Sequence, residues 1–151
     1  MTWEIIVGEN CHIVYLVSCV SQKRDQASPA RDLYISDWFV KARRYIEASA
    51  KPWFILSAEY GLLAPDQVVA PYERTLNTMD VANRRAWAKR VLNQLTDAAP
   101  ELMEVVFLAG KRYREFLAQP LMQCGVTVSI PMEGLRIGEQ LSWLAQHLPQ
   151  V

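Results

Sequence analysis

Ile13-Val14-Tyr15-Leu16-Val17, followed at once by Ser18-Cys19-Val20-Ser21-Gln22-Lys23-Arg24, is the stretch that decides the fold. A short apolar run closed by polar residues reads as a buried strand, and the small and basic residues after it read as a loop that carries chemistry. The same pairing returns three times. Residues 53–56 precede Ser57-Ala58-Glu59-Tyr60-Gly61, residues 105–108 precede Ala109-Gly110-Lys111-Arg112-Tyr113, and residues 126–130 precede Pro131-Met132-Glu133-Gly134. Helical patterns over about 30–50, 81–98, 113–122 and 137–147 lie between and after these runs. Strands alternating with helices predict parallel βαβ units joined by right-handed crossovers. The expected fold is therefore α/β, a three-layer α/β/α sandwich around a four-stranded, mainly parallel sheet. In such a sheet the loops leaving the strand C-termini converge on one edge, where ligands bind. Four chemistry-bearing loops on one edge predict an active site.

The bulk numbers agree with one domain over residues 1–151. The chain is 51% hydrophobic, enough for a sizeable core. Sixteen basic and sixteen acidic residues cancel, but a zero total does not exclude nucleic acid, because distribution matters more than the sum. Cys11, Cys19 and Cys124 form no CxxC pair, and an odd count fits a reducing, cytoplasmic compartment. His12 and His147 lie far apart without ligand spacing, so neither a metal nor a cofactor is expected. No apolar stretch reaches membrane-spanning length and the start lacks a signal pattern, so no membrane partner is expected. Residues 3–7 read as an edge strand or an arm. Residues 64–78, with Pro65 and Pro71, read as a long irregular loop of the kind that is usually functional. Thr78 or Asp80 is the candidate cap of the helix that follows.

The clusters supply the candidate side chains. Ser18, Cys19, Lys23 and Arg24 suit close approach to a ligand and a phosphate contact; Cys19 taken alone reads more readily as a small core residue. Asp32 and Tyr34 are candidates that also read as a helix-dipole charge and a core aromatic. Glu59, at a strand end beside Tyr60 and Gly61, suits a base or a charge stabiliser, and Ser57 stands beside it. Tyr72 and Glu73 form a second aromatic–carboxylate pair, either a pocket wall or a rigid turn. Gly110-Lys111 is no P-loop, because the earlier glycine is missing. Lys111 and Arg112 still suit a phosphate, and equally a solvated helix face. Glu133, beside Gly134, is a further carboxylate candidate. Basic residues interleaved with aromatics over 23–44, 84–90 and 111–114 form a nucleic-acid footprint that charged helix faces also produce.

The strings Leu16-Val17-Ser18-Cys19 with Lys23, Asp32-Leu33-Tyr34, Ile55-Leu56-Ser57-Ala58-Glu59-Tyr60-Gly61-Leu62 with Pro65-Asp66, and Pro71-Tyr72-Glu73 resemble the YaaA-like group over residues 12–144. That group includes stand-alone domains of unknown function and relatives tied to deazaguanine modification of nucleic acid. The resemblance implies a DNA-linked role and a fold akin to the uracil-DNA-glycosylase superfamily, whose members flip a base out and cleave its glycosidic bond. The superfamily's water-activating Gly-Gln-Asp-Pro-Tyr-like string is absent here, and Pro131-Met132-Glu133-Gly134 stands where its late loop has a histidine. Any glycosylase chemistry would use other residues.

The leading expectation is a DNA glycosylase-type enzyme excising a modified base, in defence against foreign DNA. Glu59 would be its carboxylate, with Asp32 and Glu133 in reserve. Ser18, Cys19, Tyr34, Ser57, Tyr60 and Tyr72 would bind the base, and Lys23, Arg24, Lys111 and Arg112 the phosphates. Two rivals stay open. One is modification of a deazaguanine-type base by Cys19 as nucleophile; the other is a non-catalytic DNA- or nucleotide-binding module.

Overall fold

A computed structural model describes residues 12–18 and 23–148. The expected arm at residues 3–7, together with Cys11, Cys19 and Ser21, lies outside the described residues.

Among the described residues, seven strands and five α-helices follow in order: β1 (Ile13–Ser18), β2 (Ser28–Pro29), α1 (Ala30–Leu33), α2 (Asp37–Ala48), β3 (Trp53–Ser57), β4 (Gly61–Leu63), β5 (Val68–Val69), a 3-10 turn (Leu76–Thr78), α3 (Val81–Ala98), β6 (Glu104–Leu108), α4 (Lys111–Gln123), β7 (Thr127–Ser129) and α5 (Ile137–His147). The main sheet runs in the order β4-β3-β1-β6-β7. β3, β1, β6 and β7 are parallel, with Val17 paired to both Ile55 and Leu108. The expected four parallel strands are all present, but the sheet has five. β4 adds itself antiparallel to β3, with Leu56 opposite Leu62 and Ser57 opposite Gly61. The reason is local. Gly61 has φ +77°, which reverses the chain cheaply, and the next two residues, Leu62 and Leu63, are apolar enough to bury against α3 and α2.

Alternation along the strands sorts the core into two layers. Val14, Leu16, Phe54, Leu56, Val105 and Phe107 pack with Trp87, Val91 and Leu95 of α3 and with Tyr113 and Leu117 of α4. Val17, Ile55, Val106 and Leu108 pack on the other side with Leu33, Phe39, Ala42, Ile46 and Leu144 of α1, α2 and α5. Each fully buried Leu, Ile or Phe contributes about 1.5–3 kcal/mol of burial energy. The sheet is thus covered on both faces.

The helix expected over 30–50 is broken into α1 and α2. Tyr34 turns extended (ψ 122°) and forms an isolated bridge with Lys23, while the Ser36 hydroxyl accepts the Phe39 N–H at 3.2 Å and starts α2 afresh. Asp80, not Thr78, caps α3, accepting the Asn83 N–H at 2.8 Å. The long segment 64–78 is tied down rather than loose. Val68–Val69 pairs with Ser28–Pro29, the Tyr60 hydroxyl donates to the Ala70 carbonyl, and the Leu76 N–H donates to the Tyr113 hydroxyl.

Candidate functional site

Strand order reverses between β1 and β6: the chain moves outward from β1 to β3, then returns to β6 on the other flank. A crevice at the C-terminal ends of the strands is expected at such a reversal. Among the described residues, three hollows are found along this edge. One, about 600 Å³, follows β3 and is walled by Ala58, Arg74, Met79, Asn83, Trp87 and Arg90. A second, about 500 Å³, lies after β1 among Lys23, Arg24, Asp25, Pro71, Tyr72 and Glu73. A third, about 230 Å³, lies between the loops after β6 and β7.

The tight β3–β4 turn builds the first site. The Ser57 hydroxyl accepts the N–H groups of Glu59 (3.2 Å) and Tyr60 (3.0 Å), and the Ser57 carbonyl accepts the Trp87 indole N–H at 2.9 Å. Ser57 is fully buried, so it shapes the turn from beneath. Glu59 is presented at the top. Both arginines of the large hollow hold it: Arg74 Nε lies 3.2 Å from a carboxylate oxygen, and Arg90 Nη2 donates to the Glu59 carbonyl at 3.3 Å. Asn83, Trp87 and Arg90 stand at helical spacings that share one face of α3. That periodicity was the signal for these residues, which the strand-end clusters did not contain; Arg74 gave none, because it comes from the irregular segment.

The three carboxylates do not converge. Asp32 faces a different groove, paired to Arg43 at 2.8 Å and to Arg31 at 3.8 Å. Glu133 lines the smallest hollow and lies 3.7 Å from Arg114. Lys111 lines that same hollow at the start of α4, and Arg112 is exposed beside it.

The tyrosines do converge. Tyr34 and Tyr72 share a hydroxyl–hydroxyl hydrogen bond of 2.5 Å. Tyr60 meets Tyr72 edge-to-face, with ring centroids 5.6 Å apart. Lys23 Nζ sits 4.6 Å above the Tyr72 ring and 5.7 Å from that of Tyr34. Tyr34 is only 2% exposed, so it supports the cluster; Tyr60 and Tyr72 are half-buried. Ser18 is buried at the end of β1. Among the described residues, no group of three or more His, Cys, Asp or Glu side chains is placed to hold a metal ion, and no helix is long and apolar enough to cross a membrane.

A family model described as a family of unknown function, DUF6884, matches residues 14–146, which takes in all but the first residue of β1 and all but the last residue of α5. The chain belongs to the DUF6884 family. The uncharacterized protein YfjM of Bacillus subtilis (strain 168) is 31% identical over 110 residues, covering 68% of this chain and 72% of that protein.

Proposed function

We propose that this DUF6884 chain is a nucleobase-processing enzyme of the glycosylase type, hydrolysing the bond between a modified base and its sugar in DNA. The observation that carries the reading is the placement of Glu59 on a strand-end turn beside a hollow of about 600 Å³: its carboxylate pairs with Arg74, its backbone carbonyl accepts from Arg90, and both arginines wall that hollow. That volume lies within the range of small-ligand pockets. Arg74 and Arg90 suit a phosphate, and Glu59 suits the oxocarbenium-like sugar that forms as the glycosidic bond breaks. In this scheme water adds at the anomeric carbon, the base departs with the bonding pair, and Glu59 steadies the cation or takes the proton from water. Asp32 and Glu133 have no part in it, since each lies in another hollow beside its own arginine. The likeness to the YaaA-like group supports DNA as the substrate and is the basis for proposing a uracil-DNA-glycosylase-like architecture.

The test is a product assay on DNAs carrying different modified bases, with alkali scission to reveal abasic sites. Wild-type protein is expected to yield abasic sites and Glu59→Gln to lose at least a hundredfold in rate. Full activity in Glu59→Gln would overturn the role of Glu59. No product from any substrate would favour a binding module, a reading supported by the fact that all three candidate carboxylates already have arginine partners.

A further inference from the structure

We infer that the arginine-rimmed groove over α1 and α2 is a track for a single-stranded nucleic-acid segment leading to the strand-end edge. This rests on the reading of the chain as acting on nucleic acid, and it names where the strand outside the reacting nucleotide lies. The groove encloses about 350 Å³, and its rim carries Arg24, Arg31, Arg43 and Arg44. Its floor is apolar: Phe39 is buried, while Ile35 and Val40 are 46% and 44% exposed. Large aliphatic side chains left that open between arginines form a surface suited to a chain that alternates charge with flat apolar faces.

The charge balance is uneven. Asp32 and Glu47 are the acidic residues of the groove, and both are spent on Arg43, at 2.8 and 3.2 Å. Asp32 also reaches Arg31 at 3.8 Å. Arg24 and Arg44 have no carboxylate partner among the described residues. Arg24 is positioned all the same. Its backbone N–H donates to the Leu33 carbonyl at 2.8 Å and its Nε–H to the Asp32 carbonyl at 2.8 Å. A guanidinium anchored through one N–H keeps a fork of donors for a phosphate.

The groove also leads somewhere. Arg24 lines both this groove and the hollow after β1 that holds Lys23 and Tyr72. The two meet at that one side chain because Lys23 is bridged to Tyr34. A strand lying along Arg44 and Arg24 is therefore delivered to the tyrosine cluster at the strand-end edge. A single strand fits better than a duplex, since only unpaired nucleotides offer base faces to an apolar floor. An acidic peptide would satisfy the cations but would leave that floor unused.

The experiment is fluorescence anisotropy of the whole chain with a labelled single-stranded DNA oligonucleotide across a salt titration, with an acidic peptide and the matching duplex as competitors. Arg44→Glu is expected to weaken binding about tenfold and to lower the salt slope by about one. Arg24→Gln is expected to do the same to a smaller extent. Arg44 is exposed, so its variant should keep the wild-type melting temperature, and Arg24→Gln gives a second, milder probe. Unchanged affinity and slope in both variants would overturn the track, as would tighter binding of the acidic peptide or no binding of any nucleic acid. The outcome separates from that of the excision assay. Arginine-dependent binding without abasic product sustains the track and sinks the glycosylase; abasic product with Arg44→Glu binding like wild type does the reverse.

Discussion

Arg74 Nε stands 3.2 Å from a Glu59 carboxylate oxygen, joining the β3–β4 turn to the irregular segment beside the hollow of about 600 Å³. Their side chains are 59% and 37% exposed. A pair that open to water is worth at most about 1 kcal/mol, so stability is a poor account of it. The pair instead aims Glu59 and adds positive charge beside it. Arg74→Ala is expected to shift the melting temperature by about 4 °C or less, while raising KM for a DNA substrate about tenfold or more. Thermal melts beside steady-state kinetics check this. A large loss of stability with unaltered KM would make the pair structural.

Gly61 is expected to resist substitution for two separable reasons. Its φ of +77° costs an ordinary residue about 1–2 kcal/mol. A Cβ there would also run into the Gln94 side-chain amide, whose oxygen accepts the Leu62 N–H at 2.9 Å. Gly61→Ala should therefore destabilise by about 2–3 kcal/mol in urea unfolding. Adding Gln94→Ala should relieve the clash but not the backbone cost, so the double variant should fall short of the sum of the singles.

Much of this was legible from residues alone, where local signals and burial agree. Residues 13–17, 53–56 and 105–108 are apolar runs too short for helices, and all became sheet. The helix over 81–98 carried both its apolar stripe and its Asp80 cap. Residues 61–63 were not legible as a strand, because three residues show no period and their partner is supplied by the hairpin turn. The break at Tyr34 was hidden because the apolar spacing runs on through it; only the pairing of Lys23 with Tyr34 decides it. The hollows do lie among the strand-end loops that the sequence singled out, but which residues meet there was not legible. Glu59, Asp32 and Glu133 look alike in sequence, and only the distant partners Arg74, Arg43 and Arg114 separate them in space.

Tyr45 should make the fold sensitive to alkali. Its phenol packs edge-on against Trp143 (5.1 Å) and Tyr15 (6.2 Å). Burial, aided by contact with Tyr15, raises its pKa above the ordinary 10.0. Below about pH 10 the group is neutral in both states and its full contribution is present. Between 10 and the raised value the unfolded chain releases the proton while the folded chain keeps it. The unfolded state then binds fewer protons, so stability falls as pH rises. Urea midpoints between pH 8 and 11 should drop more steeply for wild type than for Tyr45→Phe. Parallel curves would sink the assignment.

Arg84 is expected to matter more than either exposed arginine of the hollow. It is 6% exposed, donates to the Met79 carbonyl, and lies 3.3 Å from a Glu115 carboxylate oxygen. Arg84→Met would leave Glu115 without its partner and Met79 with an orphaned carbonyl. Together these should cost about 2 kcal/mol or more, or roughly 4–8 °C. Glu115→Gln should cost less, because Glu115 is partly solvated and Arg84 keeps its bond to Met79. Met79 walls the large hollow although Arg84 does not. Arg84→Met should therefore also reduce substrate affinity at temperatures where it remains folded, whereas Glu115→Gln should not. Melting curves and KM measured on the same two variants separate a pinned wall from a purely structural ion pair.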